Sequence, residues 1–413
     1  MEQNGAGAGA GDATVPWEEL LGSNNWSGLL SPIPPELRDH LIRCGSFCQI
    51  AEDSFISDGQ SNYIGNCRYS RASILKQVFF KETADYVVDV VPNIDGYLYT
   101  TSTITLPTDP PVPLAQTNWM GYVAVSSDDL YAKNGRRDIY VAWRGTSRLL
   151  ELFEDFNAVP VPFPDNNGDA KIMEGWRDIY TTPNTNANIP SAQDLLKAVI
   201  KEYLSKYQYE NPSIICVGHS LGGVLAILSA FDIANSGLSK INGEDIQVSA
   251  VAFDAPKVGN QAFNDALKNL PNTNVLRINN ANDIVPYWPF GDDYVKTGTI
   301  FPIDSEKSAY LKSKGEYQGD PLLGKISQWH SLQVILHTVT GWSSTKDDFD
   351  NNSELVKARL PLVNRIAGHL TKVDNEVIGH HVNVIEGWWV EKNKGMVYNE
   401  EEDKWEEKPV PWN

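Results

Sequence analysis

At 413 residues, 41% of them hydrophobic, the chain is long enough to bury a large core. Its 53 Asp and Glu against 34 Lys and Arg leave a formal net charge of −19, which argues against nucleic acid as a partner and against electrostatic adhesion to anionic membranes. Any lipid contact must therefore be local and apolar, or directed at neutral head groups.

Residues 1–15 are Gly/Ala-rich and carry Glu2 and Asp12; they read as a disordered leader without a basic n-region, an apolar h-region or transit-peptide character. No run reaches the roughly 18 apolar residues of a membrane span, so a soluble cytosolic protein is expected. Residues 17–60 read as helical: Pro34-Pro35-Glu36 is a helix start, and Leu37, Leu41, Cys44 and Cys48 follow at helical spacing. Cys44 and Cys48 then share a face without forming an obvious bridge, and the four cysteines (with Cys67 and Cys216) do not make a disulfide scaffold. No Cys/His cluster has zinc spacing, so no zinc site is expected.

Val87–Val91, Trp119–Val125 and Ile139–Trp143 are predicted strands, rich in β-branched and aromatic residues. A helix is predicted over about 190–208, then the strand Ile214–Val217, a helix at 221–235, a strand at Val248–Phe253, a helix near 260–270 and a strand at Asn274–Ile278. Strands alternating with helices imply a mixed, mostly parallel sheet covered on both faces. Toward the C-terminus, residues 353–367 read as a surface helix. Trp388–Glu391 and Met396–Tyr398 read as a hairpin around Lys392–Gly395, and Asn399–Asp403 as a solvated tip.

Gly218-His219-Ser220-Leu221-Gly222-Gly223, between an apolar strand and an apolar helix, has the form of a nucleophile elbow. Small flanking residues let backbone pack against backbone, and the helix start directs free N–H groups at a developing negative charge. Ser220 needs a base and the base an orienting acid, which in this fold class follow in the order Ser, Asp/Glu, His. His219 occupies the variable position of the elbow and should point away from the hydroxyl. Downstream lie His330, His337, His369, His380 and His381. Asp283, on a loop just past Val275–Ile278, is the favoured acid; Asp254, also at a strand end, is its rival, and Asp265 falls on a helix. His330, at the start of a helix, is favoured over His337 inside it.

An oxyanion hole needs two N–H donors. One would be Leu221; the second fits Trp143-Arg144-Gly145-Thr146-Ser147 beyond the strand Ile139–Ala142, with Thr146 as donor. Leu149, Leu152, Phe153 and Phe156 then mark an amphipathic helix, readable as a lid or as a core-facing helix. Asp165–Gly168 with Glu174 imitates a calcium loop, but Phe163 at its first position cannot ligate, so a surface turn is expected.

Together these segments resemble the class 3 (fungal-type) lipases: Arg144-Gly145-Thr146, the Gly-His-Ser-Leu-Gly-Gly elbow, Ala255-Pro256-Lys257-Val258-Gly259-Asn260, Asn282-Asp283-Ile284-Val285-Pro286 and His330-Ser331-Leu332-Gln333. Trp17-Glu18-Glu19-Leu20-Leu21-Gly22-Ser23 and the Trp388–Gly395 tail are similar to the class II plant phospholipase A1 proteins, the group without a chloroplast transit peptide. The resemblance implies one α/β-hydrolase domain over 16–400, with a helical part at 17–60, a core at about 85–345 and an acidic tail at 401–413. It also implies sn-1 acyl hydrolysis of glycerolipids at a membrane or micelle surface, with Ser220 as nucleophile, Asp283 as acid, His330 as base, Thr146 and Leu221 as the oxyanion hole, and a lid after Ser147. Two departures stand out: Asp254 replaces a usually uncharged residue, and the segment from about 311 to 328 is long. An acyltransferase with the same triad, or a catalytically silent lipid-binding or signalling protein, is the alternative.

Overall fold

Of the runs read as strands, Trp119–Val125, Ile139–Trp143, Ile214–Val217, Val248–Phe253 and Asn274–Ile278 form the centre of an eight-stranded sheet, whereas the run at 87–91 contributes only Val87, to an edge strand, and its residues 89–91 lie outside the described residues. In the computed structural model the described residues are 15–57, 63–78, 80–88, 96–106, 112–146, 158–164, 168–311, 326, 328–343, 348–354, 356, 397–399 and 404–406. The strands are β1 (Tyr86–Val87), β2 (Tyr97–Leu106), β3 (Val112–Ser126), β4 (Arg137–Trp143), β5 (Pro212–His219), β6 (Val248–Phe253), β7 (Thr273–Asn280) and β8 (Thr299–Ile303). Their order is β1-β3-β4-β5-β6-β7-β8, with β2 also on β3. Pairing is antiparallel up to β3–β4 and parallel from β4 to β8. The sheet is thus mixed and mostly parallel, as expected. Strand β8 was not foreseen: it is short, lies at the edge and carries Pro302, which an edge strand tolerates.

Alternation along the strands divides the core in two. Ile139, Val141, Ile214, Cys216, Ala250 and Ala252 pack under α2 (Glu174–Thr181), α3 (Ala192–Tyr207), α4 (Leu221–Asn235) and α5 (Gln261–Lys268). Tyr140, Ala142, Ile215, Val217, Val251 and Phe253 face α1 (Pro35–Ser54) and α6 (Leu332–Gly341) on the other side. Because both faces are covered, the central strands are uninterrupted apolar runs. Helix α4 is buried in all residues but Asn235, as a helix against the middle of such a sheet must be.

The predicted helical stretch 17–60 is shorter in the structure. A four-residue helical turn (Trp17–Leu20) and α1 are separated by turns, and α1 stops at Ser54, where Phe55 enters a β-bridge to Cys67. Cys44, Cys48, Cys67 and Cys216 are free thiols. At the C-terminus, Val397–Asn399 pairs antiparallel with Lys404–Glu406, so the described partner of this strand follows it instead of preceding it. The leader at 1–14, the amphipathic stretch after Ser147, Asp165–Asn167, most of 311–328, the helix read at 353–367 beyond 356, and Trp388–Met396 lie outside the described residues.

Register fixes where chemistry can occur. Trp143 pairs with Gly218, Phe253 with His219, and Phe253 with Ile278. The segments leaving β4, β5, β6 and β7 therefore start from one line across the sheet, at the C-terminal ends of parallel strands, where α/β proteins place their ligands.

Candidate active site

Ser220 leaves that line first. It has φ 56° and ψ −126°, a strained left-handed conformation forced by the change from β5 to α4 within one residue. The turn is possible because Gly218 packs against the main chain of Gly222 and Gly223, while a Cβ on Gly222 would stand 2.5 Å from the Trp143 carbonyl oxygen. The Ser220 N–H donates to the Phe253 carbonyl (2.9 Å), tying the elbow to β6. Its Oγ is buried and makes no hydrogen bond among the described residues.

Asp283 and His330 come together as the sequence order requires. His330 Nδ1 donates to Asp283 Oδ2 at 2.5 Å, and Asp283 Oδ1 accepts the Val285 N–H at 3.0 Å. Both side chains are buried, and His330 Nε2, like Ser220 Oγ, has no hydrogen-bond partner among the described residues. Burial lowers the His330 pKa, with the charge of Asp283 opposing that shift. His330 precedes α6, whereas His337 lies inside it, buried and bonded to Ser308 Oγ at 2.6 Å. Burial takes the His337 pKa down to about 4, as for a neutral core histidine.

The expected donor loop also lies against the elbow. A Cβ on Gly145 would sit 3.5 Å from Ser220 Cβ and 3.1 Å from the His219 carbonyl oxygen. Arg144 braces this loop from within: its Nη1 donates to the Gly145 carbonyl (2.6 Å) and its guanidinium stacks on Phe55 at 3.6 Å. Leu221 opens α4 directly after Ser220, so its N–H is among the first-turn donors of that helix.

The partners of His219, the bonds of Asn280 and the surroundings of Asp254 were not read from the sequence. His219 does point away from the hydroxyl, but into a functional position: Nδ1 meets Glu52 Oε1 at 2.8 Å and Nε2 meets the His330 carbonyl oxygen at 2.7 Å. Both partners only accept, so the ring satisfies both as an imidazolium. Glu52 raises its pKa against the opposing effect of burial. Asn280 links the rest: its N–H donates to Asp254 Oδ1 (2.7 Å), its side-chain amide to the Trp329 carbonyl (2.7 Å), and its own carbonyl accepts the Asp283 N–H (3.1 Å). Asp254 itself is buried, at φ 41°, beside the two partners of the Asp283–His330 pair. Glu52 could have been noticed as an acid on the buried side of α1; the roles of Asn280 and Asp254 depend on strand register.

Among the described residues, Asp254, Asp283 and His330 form the one acidic and imidazole group able to share a cation, with ligand atoms within 4.8 Å of one another. The Asp283–His330 hydrogen bond already occupies Nδ1, so the donor set suits proton relay better than metal binding.

Comparison with known proteins follows this arrangement. The sequence profile of Lipase (class 3) matches residues 140–292. Phospholipase A1-II 5 of Oryza sativa subsp. indica is 38% identical over 409 residues, which cover 94% of this chain and 82% of the rice protein. Phospholipase A1-IIdelta of Arabidopsis thaliana is 37% identical over 437 residues, covering 96% of this chain and 98% of its own length. The structure of Rhizomucor miehei triacylglyceride lipase aligns with 65% of this chain and 81% of its own at 20% identity and a TM-score of 0.42. With identity of this order carried along nearly the whole chain, the protein belongs to the class 3 lipase family, in its phospholipase A1-II group, and is an ester-hydrolysing enzyme.

Proposed function

We propose that this protein releases the sn-1 fatty acid of glycerolipids through an acyl-enzyme on Ser220. The observation that carries the reading is the buried Asp283–His330 hydrogen bond next to the elbow, with Ser220 Oγ and His330 Nε2 left unengaged by protein. His330 Nε2 takes the Ser220 proton as Oγ attacks the ester carbon. Asp283 holds the Nδ1–H tautomer and stabilises the imidazolium that forms. The Leu221 and Thr146 N–H groups receive the oxyanion. The alcohol, a lysolipid, leaves with the proton from Nε2; water then enters, loses a proton to the same nitrogen and frees the fatty acid. The Oγ–Nε2 hydrogen bond closes when substrate fills the site, as catalytic hydrogen bonds often do.

Access from a lipid aggregate is supported by the loop after Asp283. Ile284, Tyr287 and Phe290 are exposed, Phe290 by 69%, and they follow the acid within one short segment. Exposed apolar side chains close in sequence to the acid, on a strongly acidic protein, suit insertion into a zwitterionic or neutral surface. No helix among the described residues is long and apolar enough to cross a membrane.

The test is hydrolysis of phosphatidylcholine with different acyl chains at sn-1 and sn-2, in vesicles, beside fluorophosphonate labelling. Release of the sn-1 chain together with labelling confined to Ser220 is expected. Release of the sn-2 chain would overturn the regiochemistry, and a chain that neither labels nor hydrolyses would be a lipid-binding protein.

A further inference from the structure

Asp254 is the one buried acid at the site to which the triad gives no task. It follows β6, its side chain is wholly inaccessible, and its backbone is locked by an N–H bond to the Ile278 carbonyl (2.9 Å). Oδ1 accepts the Asn280 N–H at 2.7 Å, while Oδ2 is buried without a donor among the described residues. A carboxyl oxygen of Asp254, one of Asp283 and a ring nitrogen of His330 lie within 4.8 Å of one another.

Two buried carboxylates that close do not both ionise; one keeps its proton. The surroundings select which. Asp283 accepts two N–H bonds, one of them from a ring that becomes cationic during turnover, so it holds the charge. Asp254 has a single backbone donor. Arg277, a buried cation on β7, donates to the Ala255 and Pro256 carbonyls instead of to either carboxylate. Lys296 lies within electrostatic reach of Asp254, and His219 and Glu52 are the charged groups that face His330 from the elbow and α1.

We infer that Asp254 is a positioning residue: it stays protonated, donates Oδ2–H to the carboxylate of Asp283, and so fixes the acid that fixes His330. The inference rests on the triad reading given above. Burial and the neighbouring Asp283 charge push its pKa well upward, and a hydrogen bond between the two carboxyls acts in the same direction. Donation from Asp254 also spreads part of the Asp283 charge. The pull of Asp283 on the His330 proton is thereby reduced, leaving the imidazole free to act as a base.

The variants are chosen for the backbone at φ 41°, a conformation that Asn and Gly adopt readily and Ala does not. Asp254→Asn keeps a donor toward Asp283 and carries no charge, like the protonated acid. It should hydrolyse within about threefold of wild type, with the acid limb of kcat/KM in place. Asp254→Gly removes the donor and should lower kcat about tenfold at little change in KM. The infrared difference spectrum of wild type minus Asp254→Asn at neutral pH should contain the C=O stretch of a protonated carboxyl. A missing band, a downward move of the acid limb by about one pH unit in Asp254→Asn, or wild-type kcat in Asp254→Gly would each overturn the inference. Fluorophosphonate labelling of Ser220 separates these outcomes from failure of the triad itself, which would leave wild type unlabelled.

Discussion

Strand β4 begins in a network where each charge is answered and ends beside one where several polar atoms are not. At its start, Arg137 donates from Nε to Glu210 (2.7 Å), from Nη1 to the Ser126 carbonyl (2.6 Å) and from Nη2 to Asp128 (2.9 Å). Asp138 accepts from Arg136 (2.8 Å) and Ser213 (3.0 Å), and its N–H donates to Ser126 Oγ (3.0 Å). Around the opposite end of the sheet, Ser220 Oγ, His330 Nε2, Asp254 Oδ2, Arg277 Nε and both side-chain polar atoms of Asn279 are buried without a hydrogen bond among the described residues. A buried polar group left unmatched costs roughly 1–3 kcal/mol. The matched pairs hold the start of the strand in place; the unmatched atoms collect at the end where the proposed triad lies.

The largest effect expected from this contrast is at Ser220. Ser220→Ala should lower ester hydrolysis by about 10⁴-fold or more, yet leave the urea midpoint unchanged or slightly raised, because the lost hydroxyl had no protein partner to abandon. A clear fall in that midpoint would show the hydroxyl to be a structural group, and the contrast between the two ends would be lost. The converse belongs to the start of β4. Asp138→Ala leaves Arg136 and Ser213 without their acceptor and should cost about 3 kcal/mol of stability, while kcat of the folded fraction stays at the wild-type level. Intact stability with impaired turnover would reverse the roles given to the two ends.

The same division explains what the sequence could reveal. Ser220 was legible because a strained turn demands glycine at Gly218 and Gly222, and glycine leaves a pattern. Asp283 and His330 were legible because chain order in this fold class removes most rivals; the choice over Asp254 came from placement on a loop after a strand, and His330 does bond to Asp283. The His219–Glu52 pair was not legible, since its members are separated by most of the sheet and meet only when α1 packs across β5. Asn280 was hidden for a related reason: its several bonds arise from β7 register against β6. Strand β8 and the strand Lys404–Glu406 escaped because short elements away from the middle of the main sheet lack the long apolar runs that mark the centre. Periodicity thus reports burial well, and pairing between distant polar residues poorly.

The smallest expected effect is at the seam between α1 and the site. His219 and His330 lie with ring centroids 4.7 Å apart, yet their pKa values move in opposite directions: burial lowers that of His330, and Glu52 raises that of His219. Glu52→Gln removes the carboxylate, but its amide can donate to Nδ1 while Nε2–H still donates to the His330 carbonyl. Loop geometry should survive, with hydrolysis at neutral pH within about threefold of wild type. The pH dependence of stability should change instead. A folded-state pKa above the ordinary histidine value of about 6.5 means that the ion pair stabilises fully below that value, and that this stabilisation is lost as pH rises through the raised pKa. Wild type should therefore exceed Glu52→Gln by about 1 kcal/mol near pH 6, discounted for the partial exposure of Glu52, and the gap should close in alkaline solution. Urea titrations over a pH series measure this directly. A gap that widens as pH rises would mean that His219 is neutral in the folded protein, and that the His330 carbonyl is held by one tautomer and not by a cation.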